Sequence, residues 1–374
     1  MVNLTLKDLF QEKFRMVLVV LGLTVSFLTV HIGVGMVTGT VEQFTTIIDK
    51  GEYDAYIIQS NRPVIFAGGS VSDVMYNKTN GISGVERVDK FIMDWIGAEY
   101  KDEDTGVLVI GYKINTPYFE PWNYIDCDED DLKKNTSVII DKVALKYFPE
   151  LKVDSKLKVG IFEQKLKVKG FTERIENFGS PIMFMNFKTA KQIFNKGNES
   201  TYLAVKLEDG YSVDQLKDRL KKYDDEIKVY SAEEMKQITT DFVLYDMGIG
   251  TSIGILAVMG FFVAMIILSI TLYQSVIEKI PELVSLKALG AKKSFINNII
   301  IGQTVLIVSI AYAISITLAL IFAPSITYFS ALPVGINPIV TSITFGISIL
   351  LGIFCSLFSI RKVHKTDPAI IFRA

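Results

Sequence analysis

"EKIPELVSLKALGAKKSFI", residues 278–296, separates two long apolar runs. It is short, rich in charge and helical in pattern. Pro281 disfavours a helical Ile280, so the chain is expected to break or kink as it leaves the first run. Proline is well tolerated in the first turn of a new helix. Leu283, Leu286 and Leu289 then make an apolar stripe, and Glu278, Glu282 and Ser285 a polar one. Gly290 is placed to end the helix, with Lys287 near its negative pole. The expectation is a short rigid helix fixed between two spans. Such a helix either docks into a groove on a partner or lies in the membrane interface and closes a loop.

Working outward, four apolar runs cover residues 16–37, 249–276, 298–323 and 338–360. A transmembrane helix needs about 20 mostly apolar residues, and each run supplies them. They account for a mean hydropathy of +0.34 in a chain of 374 residues. Residues 1–15 precede the first run. Thr5 and Asp8 have capping-box spacing, with Asp in place of the usual Glu or Gln. Leu6, Leu9, Phe10 and Phe14 share one helical face, and Lys7, Glu12 and Lys13 turn away from it, as in an interfacial amphipathic helix. The first run exceeds a signal-peptide core and no clear small-residue cleavage site follows, so it is expected to be retained. Residues 38–246 are polar. "DAYIIQS", "GVLVIGYKI", "TSVIID", "LKVGIFEQKLKVKGF" and "TYLAVKL" read as strands, and Val41–Ile48, Lys142–Phe148, Thr189–Phe194 and Val213–Tyr223 as helices. This interleaving predicts an α+β domain of two lobes.

Flanking charge sets the orientation. Lys7, Lys13 and Arg15 precede the first run. Lys279, Lys287, Lys292 and Lys293 lie between the second and third. Arg361, Lys362, Lys365 and Arg373 follow the fourth, in the tail 361–374. The loop "PSITYFSALPVGIN" between the third and fourth has neither Lys nor Arg. Both termini and segment 278–296 are therefore expected in the cytoplasm. The predicted fold is an α-helical membrane domain of four transmembrane helices, with a large α+β extracytoplasmic domain inserted between helices 1 and 2. The predicted location is the cell membrane.

Several function classes are excluded. A net charge of −2 gives no case for nucleic acid. The histidines are His31 and His364, so the central domain has none for triad catalysis or imidazole metal sites. Cys127 lies in the polar middle and Cys355 in the last apolar run, which leaves no disulfide framework. No GxxxxGK[ST] or GxGxxG phosphate loop is present. The apolar runs hold no Asp, Glu, Lys or Arg in their interiors, which argues against an ion-driven carrier. His31 and Gln303 read as packed residues bonded to neighbouring helices. "DCDEDD", residues 126–131, opens like a calcium loop. It carries Asp131 where glycine is needed and Ser137 where glutamate is needed, so a solvated acidic loop is expected. No catalytic residue and no metal ligand is assigned. Gly35 and Gly39, and Gly250 and Gly254, have the four-residue spacing that lets helices approach closely. The ordinary glycine content of membrane helices produces such pairs too.

"TLYQSVIEKIPELVSLKALGAKKSFI" resembles the segment after the second span in FtsX-like/MacB-type permeases of ABC transporters. The matching residues are Glu278, Glu282, Leu286, Lys287, Ala288, Leu289, Gly290, Ala291 and Ile296. Thr271, Leu272, Tyr273 and Ser275 give it a DevC-like flavour. "RKVHKTDPAIIFRA" resembles the family's closing segment through Arg361, Lys362, Asp367, Pro368 and Ala369. "TSVIIDKVALKYF" and "GFTERIENFGSPIMFMNFKTAKQIF" resemble its periplasmic core domain. Pro281 departs from the family pattern. The resemblance implies that residues 278–296, with Leu283 on the apolar stripe, form a coupling helix seated on a separate ABC ATPase. It implies a homodimer with two ATPase copies, ATP and Mg bound by the ATPase and no cofactor in this chain. It also implies spans that act as levers among membrane lipid, moving a hydrophobic or membrane-associated substrate. An adaptor or secreted partner is a further candidate. The alternative within the family is mechanical signalling, in which the same levers activate an external cell-wall hydrolase and transport nothing.

Overall fold

The computed structural model describes residues 13–177, 179–221, 223, 226–278, 293–330 and 333–365. The chain divides into two compact units. One is drawn from the residues up to Gly39, Gly250–Phe329 and the residues from Val334 on; the other is Thr40–Ile249 with Ser330–Pro333. The elements begin with α1 (Lys13–Lys50), β1 (Ala55–Gln59), β2 (Val71–Ser72), α2 (Asp73–Asn80), β3 (Val85–Tyr100) and β4 (Glu103–Tyr112). Then come β5 (Tyr124–Ile125), β6 (Ser137–Asp141), α3 (Ala144–Tyr147), β7 (Lys156–Val159), β8 (Gln164–Thr172), β9 (Glu176–Asn177) and β10 (Ser180–Asn186). The rest are α4 (Phe187–Ile193), β11 (Glu199–Ser200), β12 (Tyr202–Leu207), α5 (Val213–Leu220), β13 (Ile227–Ser231), α6 (Ala232–Asp241), α7 (Ile249–Glu278), α8 (Lys293–Ser330) and α9 (Pro338–Lys365).

In the second unit the strand order is β13-β1-β12-β3-β4-β10-β6-β8-β5, with β7 pairing β3 and β8 and β9 pairing β10. The long strand β3 has three neighbours, β12, β4 and, near its end, β7 through Ala98↔Val159 and Glu99↔Lys158. Its first half pairs antiparallel with β12, from Leu207↔Val85 to Tyr202↔Phe91. Its second half pairs antiparallel with β4, from Ile92↔Gly111 to Tyr100↔Glu103. The two residues between β3 and β4, Lys101 and Asp102, have φ of 50° and 66°. That is the geometry of the two-residue hairpin turn whose twist matches the strands.

Side chains alternate across the sheet and both faces are covered. Phe91, Met93, Leu108, Ile110, Ile182 and Phe184 enter one core together with Phe44, Ile47 and Ile48 of α1. Their neighbours Ile92, Val107, Val109, Met183 and Met185 enter a core on the opposite face. On β1 and β12, Ala55, Ile57, Leu203 and Val205 enter a third, roofed by Leu216 and Leu220 of α5. Such two-sided burial reads in sequence as continuous apolar runs rather than strict alternation. Helices start where side chains cap them. Ser212 and Gln215 open α5 reciprocally, and Ser231 and Glu234 open α6 in the same way.

The strand and helix signals of residues 38–246 correspond to β1, β4, β6, β7, β8, β12, α3, α4 and α5. The helical stretch Val41–Ile48 is not a separate element. It is the end of α1, which runs unbroken from the first apolar run into the sheet unit. The acidic run 126–131 leads into the 3-10 turn Glu129–Lys133, where Lys133 pairs with Asp130 at 2.6 Å.

In the first unit four helices have candidate spans: Met16–Lys50, Ile249–Glu278, Asn297–Phe329 and Pro338–Leu357. Leu23, Phe27, Leu268, Leu272, Val308, Ala311, Tyr312 and Cys355 form the core between them. α7 buries only Gly260, Ala264, Leu268, Leu272 and Val276. That is one stripe at four-residue spacing, the ridge by which helices interdigitate. Val258, Phe262, Ile266 and Ile270 of α7 remain exposed. A helix apolar all round with one face buried suits a hydrocarbon surrounding.

Candidate functional site

The stretch expected to couple to a partner begins at Glu278, the last residue of α7. Ile296 lies within α8. Residues 279–292 are outside the described residues, and with them Glu282, Leu283, Leu286, Lys287, Ala288, Leu289, Gly290 and Ala291. Asp367 and Pro368 of the tail are outside them as well, as are residues 1–12 of the amphipathic stretch 1–15, whose last three residues begin α1.

α7 packs on α1 through small residues. A Cβ at Gly260 would stand 2.8 Å from Val30 Cγ2 and 3.2 Å from the carbonyl oxygen of Ser26. One at Gly22 would stand 3.2 Å from Ile267, and one at Gly33 would stand 3.3 Å from Ile253. The pair Gly250 and Gly254 is on α7 too, but around Gly254 a Cβ would meet nothing within 4 Å. Gly254 shares its stripe with Val258, Phe262, Ile266 and Ile270, the exposed face. Four-residue spacing alone gives the period of a stripe and not the face it occupies.

Gly35 and Gly39 meet a loop of the same chain. The Gly335 amide donates to the Gly35 carbonyl at 2.8 Å, and Thr38 Oγ1 donates to the Gly335 carbonyl at 2.7 Å. A Cβ on Gly335 would lie 3.0 Å from the nitrogen of Gly39 and 3.1 Å from its Cα. The loop between α8 and α9 is thus fixed to α1 backbone against backbone. One turn below, the His31 ring stands edge-on to Tyr312 at 4.7 Å. Tyr312 bonds the carbonyl of Thr341 and the hydroxyl of Thr344, both at 2.6 Å. Packing is as expected for His31, but the expected hydrogen bond is not made from its Nε2, which is buried without a partner. Gln303 is buried as well.

Two of the chain links between the units, at Gly39–Thr40 and at Ile249–Gly250, differ. α1 is continuous through Gly39 and Thr40. The other link is broken: α6 passes into a single π turn, Phe242–Asp246. Gly248 then has φ of +70°, and α7 begins at Ile249. A π turn followed by a left-handed residue ends one helix and re-aims the next. Nothing lies within 4 Å of a Cβ at Gly248, so its conformation alone calls for glycine.

In the sheet unit Asp89 is 4% exposed. It accepts two bonds from Arg87, at 2.7 and 2.9 Å, and others from Tyr53 and Thr116, at 2.9 and 2.8 Å. Burial pushes the Tyr53 hydroxyl well above its usual range. Asp141 accepts from the amides of Val143 and Ile175 and from Thr172. Burial pushes its carboxyl up while these bonds oppose the shift. These buried carboxylates are satisfied structural anchors. Among the described residues no cluster of three or more His, Cys, Asp or Glu side chains could hold a metal.

Comparison with known proteins gives a family for both regions. The family model of the MacB-like periplasmic core domain matches residues 16–223, more than half of the chain. That of the FtsX-like permease C-terminal region matches residues 254–368. Uncharacterised ABC transporter permeases from two strains of Mycobacterium tuberculosis are 29% identical over 124 residues, 32% of this chain and 34% of theirs. The match thus spans about a third of those relatives' length. Among solved structures, the extracellular domain of the noncanonical ABC-type transporter YknZ from Gram-positive bacteria aligns at 19% identity. It covers 48% of this chain and 98% of that one, with a TM-score of 0.34. The periplasmic region of MacB from Actinobacillus actinomycetemcomitans aligns at 13% identity, covering 50% and 92%, with a TM-score of 0.35.

Proposed function

The chain belongs to the family of FtsX-like permeases with a MacB-like periplasmic core domain, and from that membership we propose that it is the membrane subunit of an ABC transporter whose ATP is hydrolysed by a separate subunit. Two copies of the chain form a homodimer served by two ATPases, which bind the ATP and Mg. Both termini and residues 279–292 are cytoplasmic, and the sheet unit is outside. The chain itself carries out no catalysis. It exports or extracts a hydrophobic or membrane-associated substrate.

The observation that carries this reading is the pattern Leu286-Lys287-Ala288-Leu289-Gly290-Ala291 between α7 and α8. Force delivered there reaches α7 at Glu278. α7 shares its glycine-lined face with α1, so displacement of one helix carries the other. α1 in turn holds Phe44, Ile47 and Ile48 in the core of the sheet unit. The link through α1 is one continuous helix, whereas the link through Gly248 is a break between helices. The exposed stripe of Gly254, Val258 and Phe262 is free for lipid or for the second copy.

Cysteine labelling and co-purification test the reading together. A cysteine at Lys292 should react only from the cytoplasm and one at Lys206 only from outside, following the positive-inside rule. The ATPase should co-purify with the chain and be lost with Leu286→Asp, which puts a charge on the apolar stripe. External labelling at residue 292, or full ATPase retention by the inserted variant, overturns it.

A further inference from the structure

The sheet unit has a cavity of about 560 Å³ lined by α2, β3, the end of β4, the 3-10 turn and the start of α4. Small-ligand sites typically measure roughly 300–1,000 Å³. Its charge is one-sided. Arg87, Lys90, Lys113, Lys133 and Lys188 line it, against Glu86 and Asp89.

The carboxylates in and around the cavity are already engaged. Asp89 holds Arg87, and Glu86 accepts from the Tyr118 hydroxyl. Asp73 holds Lys90 at 3.0 Å and has Lys191 at 3.8 Å. Asp130 holds Lys133. Lys113 and Lys188 are left: both are exposed, and among the described residues no carboxylate pairs with either. The apolar part of the lining is equally defined. The Lys90 ammonium sits 4.5 Å from the Tyr76 ring centre and 5.5 Å from that of Phe187, which fixes these rings. Val88 and Ile114 complete the apolar wall.

Held aromatic rings and a pair of uncompensated ammonium groups in one concavity define a ligand chemistry. We propose that this cavity binds an anionic amphiphile, a phosphate or carboxylate head group on Lys113 and Lys188 with its apolar portion against Phe187 and Ile114. Charge-assisted bonds to the two lysines fix the head group. The neutralised Arg87 and Lys90 hold the walls and do not compete for it. The inference is independent of ATP coupling, because binding requires no ATPase and either idea can fail without the other.

The test uses the full-length chain in phosphatidylcholine nanodiscs with octyl phosphate as the probe, read by acetylation of individual lysines. Octyl phosphate should slow acetylation of Lys113 and Lys188 severalfold and leave the exposed hairpin residue Lys165 unchanged. The double variant Lys113→Gln/Lys188→Gln should bind the probe about tenfold or more weakly, because two charge-assisted contacts are lost. Phe187→Ala should weaken binding of octyl phosphate and leave the lysines in place. A second arm replaces part of the phosphatidylcholine with phosphatidylglycerol and omits the probe. Protection there identifies a lipid head group as the source, and its absence identifies a free amphiphile. Equal protection by octyltrimethylammonium, equal protection by inorganic phosphate, or unchanged binding by the double variant overturns the proposal.

Discussion

Replacing Gly335 with alanine tests whether the loop between α8 and α9 is locked to α1. The new Cβ would stand 3.0 Å from Gly39 N, 3.1 Å from Gly39 Cα and 3.3 Å from Thr38 Oγ1. Two of these are backbone atoms of a helix and have no rotamer to change. Comfortable contact lies at about 3.5–4.0 Å, so the loop must retreat by about 0.5 Å. That movement stretches the 2.8 Å bond to Gly35 and the 2.7 Å bond from Thr38. Overpacking costs about 1–3 kcal/mol, and each weakened hydrogen bond removes up to about 1 kcal/mol net. Loop docking should lose about 1–5 kcal/mol in all, a factor of about 5 to 4,000 in local opening at 1.4 kcal/mol per decade. Hydrogen–deuterium exchange of peptides covering residues 333–337, in nanodiscs, reads this directly. Gly346→Ala is the control, since a Cβ there meets nothing within 4 Å. Exchange at Gly335 that is equally slow in both variants would refute the backbone-to-backbone contact.

The face of α7 that meets α1 should be distinguishable from its open face: Gly260→Leu should destabilise the folded chain in thermal melts by several degrees or abolish it, because Val30 and Ser26 leave no room, whereas Gly254→Leu should leave the melt unchanged and alter only self-association. Gly248→Ala should cost about 1–2 kcal/mol through its left-handed backbone alone, seen as faster exchange across residues 242–250 with the α6 core unaffected. Lys167 and Lys169 hold the Asp154 carboxyl down at about 2. Its contribution to stability is therefore present above the ordinary aspartate value and lost as pH falls from about 4 toward 2. Asp154→Asn should flatten that limb of the acid-unfolding curve, the more so at low salt.

The membrane helices were legible because apolar runs of that length have no other common use, and their basic flanks are short. Strands such as β1, β4 and β12 were legible because short apolar, strand-favouring runs, "AYII", "VLVI" and "YLAV", stand between polar stretches. β3 was not, because "VERVDKFIMDWIGAEY" mixes charges into a strand that pairs with β12, β4 and β7 and has no regular alternation of buried and exposed residues. β10, "SPIMFMN", draws on Met and Phe, which are as common in helices. The glycine pairs were visible as a period, but only packing shows that Gly35 and Gly39 receive a loop, that Gly254 is open, and that Gly260 two stripes away carries the helix contact. The cationic cavity was not legible at all: Arg87, Lys113 and Lys188 are far apart in sequence and meet only through the sheet.

The central claim is that residues 279–292 pass ATP-driven movement from an ATPase to the sheet unit. The most direct measurement is ATP-dependent cysteine crosslinking between the sheet units of two copies, in the complete assembly, for wild type and Leu286→Asp. The account predicts that crosslinking changes with ATP in wild type and becomes independent of ATP in the variant, with insertion and thermal stability of the sheet unit unchanged. Nucleotide-dependent crosslinking of normal size in a well-inserted Leu286→Asp protein would contradict it.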